Sequence, residues 1–201
     1  MSIPPLVLAS ASPRRQSLLS EAGYSFIVDP ANIDEENLPP GILPADAARD
    51  LARIKADTVA VRHPNDVVLG ADTVVALGDY ILGKPRDIED ARRILTLLSG
   101  TTHIVITGIA VVHAQANFSR WARVMSAVRM RNLSDHELET YLATGQWEGK
   151  AGAYGIQDND PFVTRMSGSM TNIVGLPVSQ TKLLLAEAGI VPIKPTPNAP
   201  I

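Results

Sequence analysis

Two arginines that follow a polar turn could hold a phosphate group. Ser10 and Ser12 precede Pro13, and the pair Arg14 and Arg15 follows at the start of a predicted helix. Helix N-termini bind anions through free N–H groups and the positive end of the helix dipole, and guanidinium groups add bidentate hydrogen bonds. The alternative is that Ser12 is an ordinary helix cap and that the arginines form a solvated face.

A single aspartate interrupts an apolar, β-branched segment that predicts a buried strand over 67–77. This residue, Asp72, costs free energy in such a strand unless it has a partner. The pattern therefore predicts a metal, a lysine or a water that Asp72 activates. The alternative is a β-bulge beside Gly70 that brings Asp72 to solvent.

Two lysines are further candidates for charge chemistry. Lys55 shares a face of a predicted long helix with small residues, so it could cross a packed surface toward a cleft, or it could be an ordinary surface lysine. Lys84 lies in the segment 78–85, which nearly matches a Walker A phosphate loop. Pro85 stands where that loop needs a magnesium-binding hydroxyl, so Walker A is excluded. Lys84 remains either a point charge for phosphate or a solvated lysine.

A glycine-rich segment predicts a tight loop. Residues 149–157 read GKAGAYGIQ, and glycine at this density disfavours both helix and strand. Gln157 could bind the edge of a base through its amide. The alternative is a loop with a structural role only.

The elements that must position these residues alternate between strand and helix patterns. Strands are predicted over 5–9, 67–77, 80–82, 103–113 and 122–130, with a hairpin between the second and third. Helices are predicted over 14–22, 45–61, 87–98, from the capping box at 134–137 to Gly145, and over 177–188. The alternation is not strict, so the predicted sheet is mixed rather than purely parallel.

Composition limits the classes of protein that this chain can belong to. The 201 residues contain no cysteine, which excludes disulfides, cysteine nucleophiles and thiolate metal sites. A net charge of -3 disfavours nucleic acid as a partner. The chain has neither an apolar run of membrane length nor a signal peptide, so no membrane partner and a cytoplasmic location are expected. One bilobed domain is predicted over 1–190, followed by a proline-rich tail over 191–201.

Six short blocks in one order together resemble the Maf family of nucleoside triphosphate pyrophosphatases, also named septum formation inhibitors. The resemblance covers about residues 5–188, and the blocks are LASASPRRQ at 8–16, LGADTVV at 69–75, GKPRD at 83–87, LSGTTH at 98–103, KAGAYGIQ at 150–157 and VGLP at 174–177. It implies an α/β fold of the Maf/ITPase-like type, with an elongated mixed β-sheet flanked by helices, a deep central cleft and often a homodimer. The implied activity converts a nucleoside triphosphate to the monophosphate and pyrophosphate, with a divalent metal such as Mg²⁺ or Mn²⁺.

The resemblance also implies roles for single residues. Asp72 matches the proton acceptor, with Lys55 and Lys84 as catalytic cations, and Glu35 matches a carboxylate that assists the metal together with Asp72. Because Glu36 is adjacent, either glutamate could be that carboxylate. The phosphate site corresponds to Ser10, Arg14, Arg15, Lys55 and Lys84. Base selection corresponds to Arg14, Thr73 and Gln157.

Two features leave the function partly open. The AGAYGIQ block resembles the branch that acts on dTTP and UTP rather than on 7-methyl-GTP, but the family pattern departs after Gln157. The residues there are DNDP at 158–161, and two carboxylates beside the implied base pocket leave the base preference open. The family further implies a house-cleaning role linked to arrest of cell division. The alternative is a nucleotide-binding regulator of septation with little turnover.

Overall fold

One mixed β-sheet organises the molecule. The computed structural model describes residues 4–35, 38–157 and 162–193. The strands are β1 (Leu6–Leu8), β2 (Ile27–Val28), β3 (Val67–Leu77), β4 (Tyr80–Leu82), β5 (Thr102–His113), β6 (Phe118–Met130) and β7 (Val163–Ser167). Their order is β2-β1-β3-β5-β6-β7, with β4 also paired to β3. β1 is parallel to β2 and β3, whereas the other pairs are antiparallel, so the predicted mixed sheet is confirmed.

Six α-helices pack around this sheet in the described part of the chain. They are α1 (Pro13–Glu21), α2 (Pro44–Ala60), α3 (Ile88–Leu98), α4 (Asp135–Ala143), α5 (Met170–Val174) and α6 (Val178–Glu187), with a 3-10 turn at Ala151–Ala153. The predicted helices agree with five of these within a few residues. The α/β class predicted from the sequence is therefore confirmed.

Two glycines let helix α2 lie directly on the sheet. A Cβ atom added to Gly70 of β3 would lie 2.7 Å from the backbone nitrogen of Ala56, and one added to Gly108 of β5 would lie 2.8 Å from that of Arg49. The β3–β5 ladder runs without a break past Gly70. The predicted alternative of a bulge is therefore wrong, because this glycine makes room for α2 rather than interrupting the strand.

The apolar core is divided into two main clusters along the same strands. The first half of β3 contributes Leu69 to a cluster with Ile109 and Leu176, and the second half contributes Val75 to a cluster with Leu98 and Met130. Asp72 and Thr73 lie between these halves. Both polar residues therefore interrupt the apolar pattern at the middle of β3.

The ends of the chain are described only in part. Within the described ranges no helix has the length and apolar character needed to cross a membrane. Of the predicted tail, residues 191–193 are described, and the Ile193 N–H donates to the carbonyl of Gly23 at 2.9 Å. The rest of the tail lies outside the described residues, and the division into 1–190 and 191–201 stays a prediction.

Candidate active site

A cleft of about 520 Å³ lies beside the middle of β3 and is lined by residues 9–15 and 148–151 among others. This volume is in the range of small-molecule sites in proteins. The cleft is lined by every site residue predicted from the sequence, namely Ser10, Arg14, Arg15, Glu35, Lys55, Asp72, Thr73, Lys84 and Gln157. Of the two candidate glutamates the structure places Glu35 in the cleft, and Glu36 lies outside the described residues.

Four charged side chains form a continuous chain of ion pairs on one side of the cleft. Nζ of Lys55 lies 2.5 Å from Oδ1 of Asp72 and 2.7 Å from Oε1 of Glu35. Oε2 of Glu35 in turn lies 2.6 Å from Nζ of Lys84. The order is therefore Asp72, Lys55, Glu35, Lys84, with charges that alternate in sign.

The four residues of this series of ion pairs differ in burial. Asp72 is 4% exposed and Lys55 is 5% exposed, so the alternative of an ordinary surface lysine is wrong for Lys55. Its position follows from the close approach of α2 to Gly70, two residues before Asp72 on the same face of β3. Lys84, at the end of β4, is half-exposed and carries its charge at the cleft mouth.

The pKa of Glu35 is set by two opposing effects. Partial burial favours the neutral acid, but hydrogen bonds from Lys55 and Lys84 favour the carboxylate more strongly and lower its pKa to about 2. Glu35 is therefore ionised throughout the physiological pH range. The carboxylate bridges the two ammonium groups and holds both of them at the cleft.

Arg15 is held in the cleft wall by three protein acceptors. Its Nε donates to the carbonyl of Gly175 at 2.9 Å, Nη1 donates to Oγ of Ser10 at 3.0 Å, and Nη2 donates to Oγ1 of Thr73 at 3.1 Å. Burial lowers the pKa of Arg15, and the nearby charges of Asp72 and Glu35 oppose that effect. The alternative of a solvated arginine is wrong for this residue.

Ser12 does not cap helix α1 in the expected way. It occupies the N-cap position but makes no side-chain capping hydrogen bond. Oγ of Ser10 instead accepts the N–H of Ser12 at 3.3 Å. The hydroxyl of Ser10 thus joins the start of α1 to Arg15, which is a positioning role that the cap interpretation missed.

The glycine-rich loop closes one edge of the cleft. The Gly152 N–H donates to the carbonyl of Gly83 at 3.0 Å, next to Lys84. Gly152 has a φ of +74°, and a Cβ atom there would lie 2.9 Å from Cγ2 of Val75. Nη2 of Arg14 donates to the carbonyl of Gly149 at 3.3 Å, which ties α1 to the loop. Gln157 is exposed at the rim.

Three buried residues near the cleft were missed by sequence reasoning. Oη of Tyr154, which lines the cleft, lies 2.6 Å from Nε2 of His103. Burial lowers the pKa of His103 to about 4, so the imidazole is neutral. Thr107 lies directly opposite Thr73 in the β3–β5 ladder. His103 and Tyr154 fall inside the quoted blocks, but nothing in their spacing signalled a contact.

The carboxylates of the cleft are suited to bind a metal ion together with oxygens of a substrate, rather than alone. In the ranges that the structure describes, no group of three or more His, Asp or Glu side chains is placed to hold an ion. Glu35 and Asp72 nevertheless hold one cation between them, the ammonium of Lys55. Mg²⁺ is commonly bound by one or two carboxylates plus the phosphates of a substrate. The two carboxylates therefore fit a divalent metal of this kind.

Comparison with known proteins gives one consistent result. The model of the family described as Maf-like protein matches residues 5–188. A protein of Cereibacter sphaeroides named dTTP/UTP pyrophosphatase is 50% identical over 187 residues, which is 92% of this chain and 95% of that protein. A protein of Anaeromyxobacter dehalogenans with the same name is 47% identical over 189 residues, with coverage of 92% and 95%. Among solved structures, a HAM1 protein from Coxiella burnetii has a TM-score of 0.49 at 14% identity, covering 92% of this chain and 99% of that one.

Proposed function

From the premise that the chain belongs to the Maf-like protein family, we propose that it hydrolyses dTTP and UTP to the nucleoside monophosphate and pyrophosphate. It is a hydrolase that acts on nucleoside triphosphates. The observation that carries the proposal is the series of ion pairs from Asp72 to Lys84 inside a cleft that Arg14 and Arg15 also line. The alternative of a regulator with little turnover is not favoured, because the relatives at about half identity are named as pyrophosphatases.

The cations of the cleft would hold the nucleotide. Hydrolysis of a phosphoanhydride depends mostly on positioning the phosphates and neutralising their charge. Arg15 keeps its guanidinium in place through three protein acceptors, so it can contact the ligand without losing conformational entropy. Arg14 and Lys84 lie at the rim, where they can close on the ligand as it enters.

Asp72 is the proton acceptor in this mechanism. A water oxygen attacks the α-phosphorus, the bond to the bridging oxygen breaks, and pyrophosphate leaves. Oδ2 of Asp72 takes the proton of that water, while the ammonium of Lys55 holds Oδ1 at 2.5 Å.

Asp72 and Glu35 would also hold Mg²⁺ or Mn²⁺. When bound, such an ion neutralises phosphate charge and makes the attacking water more acidic.

We expect the base preference to be set at the rim of the cleft. Gln157 lies at the rim, and the departing segment 158–161 lies outside the described residues. The names of the relatives support a preference for dTTP and UTP. A cytoplasmic location, the absence of a nucleic-acid partner and a homodimer stay predictions for this chain.

A panel of nucleotides tests the proposed function. Purified protein is given each canonical nucleoside triphosphate with Mg²⁺ or Mn²⁺, and pyrophosphate and orthophosphate are measured separately. The proposal predicts pyrophosphate and monophosphate in equal amounts, fastest from dTTP and UTP. Orthophosphate as the product, or a strong preference for a purine triphosphate, would contradict it.

A further inference from the structure

We propose that Thr107, which lies beneath the cleft floor, fixes the direction of the Thr73 hydroxyl and thereby selects bases that carry an N3–H group. Thr107 is fully buried in β5 and stands opposite Thr73 of β3. In this account Thr73 offers the ligand only a hydrogen-bond acceptor. The inference rests on the proposed hydrolysis of dTTP and UTP and adds a residue that orients the specificity contact.

The direction of each hydrogen bond follows from counting hydrogens. Oγ1 of Thr107 donates to the backbone carbonyl of Asn172 at 3.0 Å, and a hydroxyl has only one hydrogen to give. The contact of 2.9 Å between Oγ1 of Thr107 and Oγ1 of Thr73 must then be donated by Thr73. With the opposite direction, the Thr73 hydrogen would have no acceptor among the described residues, because its other neighbour, Nη2 of Arg15, is itself a donor.

A fixed hydrogen leaves Thr73 as an acceptor toward the cleft. One lone pair of its oxygen accepts the Arg15 N–H at 3.1 Å, and the other is available to a ligand. The oxygens of a triphosphate are acceptors near neutral pH, so they cannot donate a hydrogen bond to this lone pair. Within the proposed substrate, only the nucleoside therefore offers a matching donor.

Uracil and thymine supply that donor as N3–H, and the adjacent C4 carbonyl is an acceptor. Nη1 and Nη2 of Arg15 each donate one of their two hydrogens to protein, so each keeps one for the cleft. Arg15 and Thr73 together present a donor beside an acceptor, which is the complement of a C4 carbonyl beside N3–H. Cytosine presents a lone pair at N3, which would face the lone pair of Thr73.

Variants at Thr107 test whether the orientation matters. In Thr107→Val the shape is kept, but the Thr73 hydrogen loses its acceptor and can turn toward the cleft. In Thr107→Ser the hydroxyl is kept. Ser126→Ala serves as a matched control, because Ser126 accepts from Asn172 Nδ2 at 2.9 Å and is part of the same buried network without touching Thr73. The readout is kcat/KM for UTP divided by kcat/KM for CTP, with thermal unfolding as a folding check.

The expected result is a change of specificity rather than of activity alone. The parent should prefer UTP over CTP by at least about tenfold, and Thr107→Val should reduce that ratio by about fivefold or more, as for the loss of one buried hydrogen bond. Thr107→Ser and Ser126→Ala should keep the ratio. An unchanged ratio in Thr107→Val would overturn the proposal.

A measurement on the unaltered protein covers the case in which Thr107→Val fails to fold. If the donor is N3–H, 3′-deoxy-UTP should keep kcat/KM within about threefold of UTP, whereas CTP should lose about tenfold. If 3′-deoxy-UTP loses more than CTP, the donor is a sugar hydroxyl and the proposal is wrong. Equal release of pyrophosphate from UTP and CTP would overturn the inference and leave the function standing, whereas no release from any nucleotide would overturn the function itself.

Discussion

The buried ammonium of Lys55 lies 2.5 Å from a carboxylate oxygen of Asp72, and the two residues come from a helix and a strand that touch through glycine. The same ammonium also contacts Glu35 at 2.7 Å. One cation therefore pairs with two carboxylates inside the cleft. Without a nucleotide, the Lys55 ammonium compensates the negative charges of Asp72 and Glu35.

Removal of Lys55 should cost both stability and activity. In Lys55→Met, Asp72 is left buried without its cation, and breaking such a pair costs about 3–5 kcal/mol. Urea unfolding should show a loss of that order. Lys84→Met is the comparison, because half-exposed Lys84 should cost less than about 1 kcal/mol while still slowing pyrophosphate release. Equal stability losses in the two variants would contradict the buried pairing.

Acid should weaken the fold partly through Glu35. The pKa of Glu35 is lowered from 4.5 to about 2 in the folded chain, so the unfolded chain binds the proton first as the pH falls. The stabilisation is present above about pH 4.5 and is lost as the pH approaches 2. Chemical unfolding between these limits should show a shallower decline in Glu35→Gln than in the parent. If the free energy of unfolding falls equally in Glu35→Gln and in the parent, Glu35 does not contribute to this pH dependence.

The contact between α2 and β3 should depend on Gly70. In Gly70→Ala the new methyl group would meet the backbone of Ala56, so α2 must shift, and overpacking of this kind costs about 1–3 kcal/mol. The shift would also displace Lys55 from Asp72 and slow pyrophosphate release. Gly83→Ala is the matched control, because a Cβ atom there meets nothing within 4 Å. If Gly70→Ala behaves like Gly83→Ala in thermal unfolding and turnover, the close approach is not required.

Strong local patterns allowed much of the fold to be predicted. The β-branched segment 67–77 gave β3 with its observed bounds, and the Gly78-Asp79 turn gave the hairpin to β4. Strand β7 was missed because four of its five residues are exposed, so no alternation marks it. Helix α5 was missed because five residues are too few for a helical period.

The sequence predicted which residues form the site, but not which of them contact one another. The apolar strand around Asp72 predicted that this residue has a partner. The partner, Lys55, lies 17 positions away on a helix, and only the fold brings the two together. Glu35 came from the family resemblance alone. Thr107 carried no signal, because threonine is common in strands and its importance lies in facing Thr73 across the ladder.

The most direct test of the account is the rate of pyrophosphate release from UTP by Asp72→Asn. Asparagine keeps the shape, and Glu35 remains as a partner for Lys55, so the variant should fold and still bind UTP in a thermal-shift assay. Because the amide cannot accept the proton of water, kcat should fall by about 10²–10⁴-fold with little change in KM. Release within a few-fold of the parent rate would contradict the assignment of Asp72 as the proton acceptor.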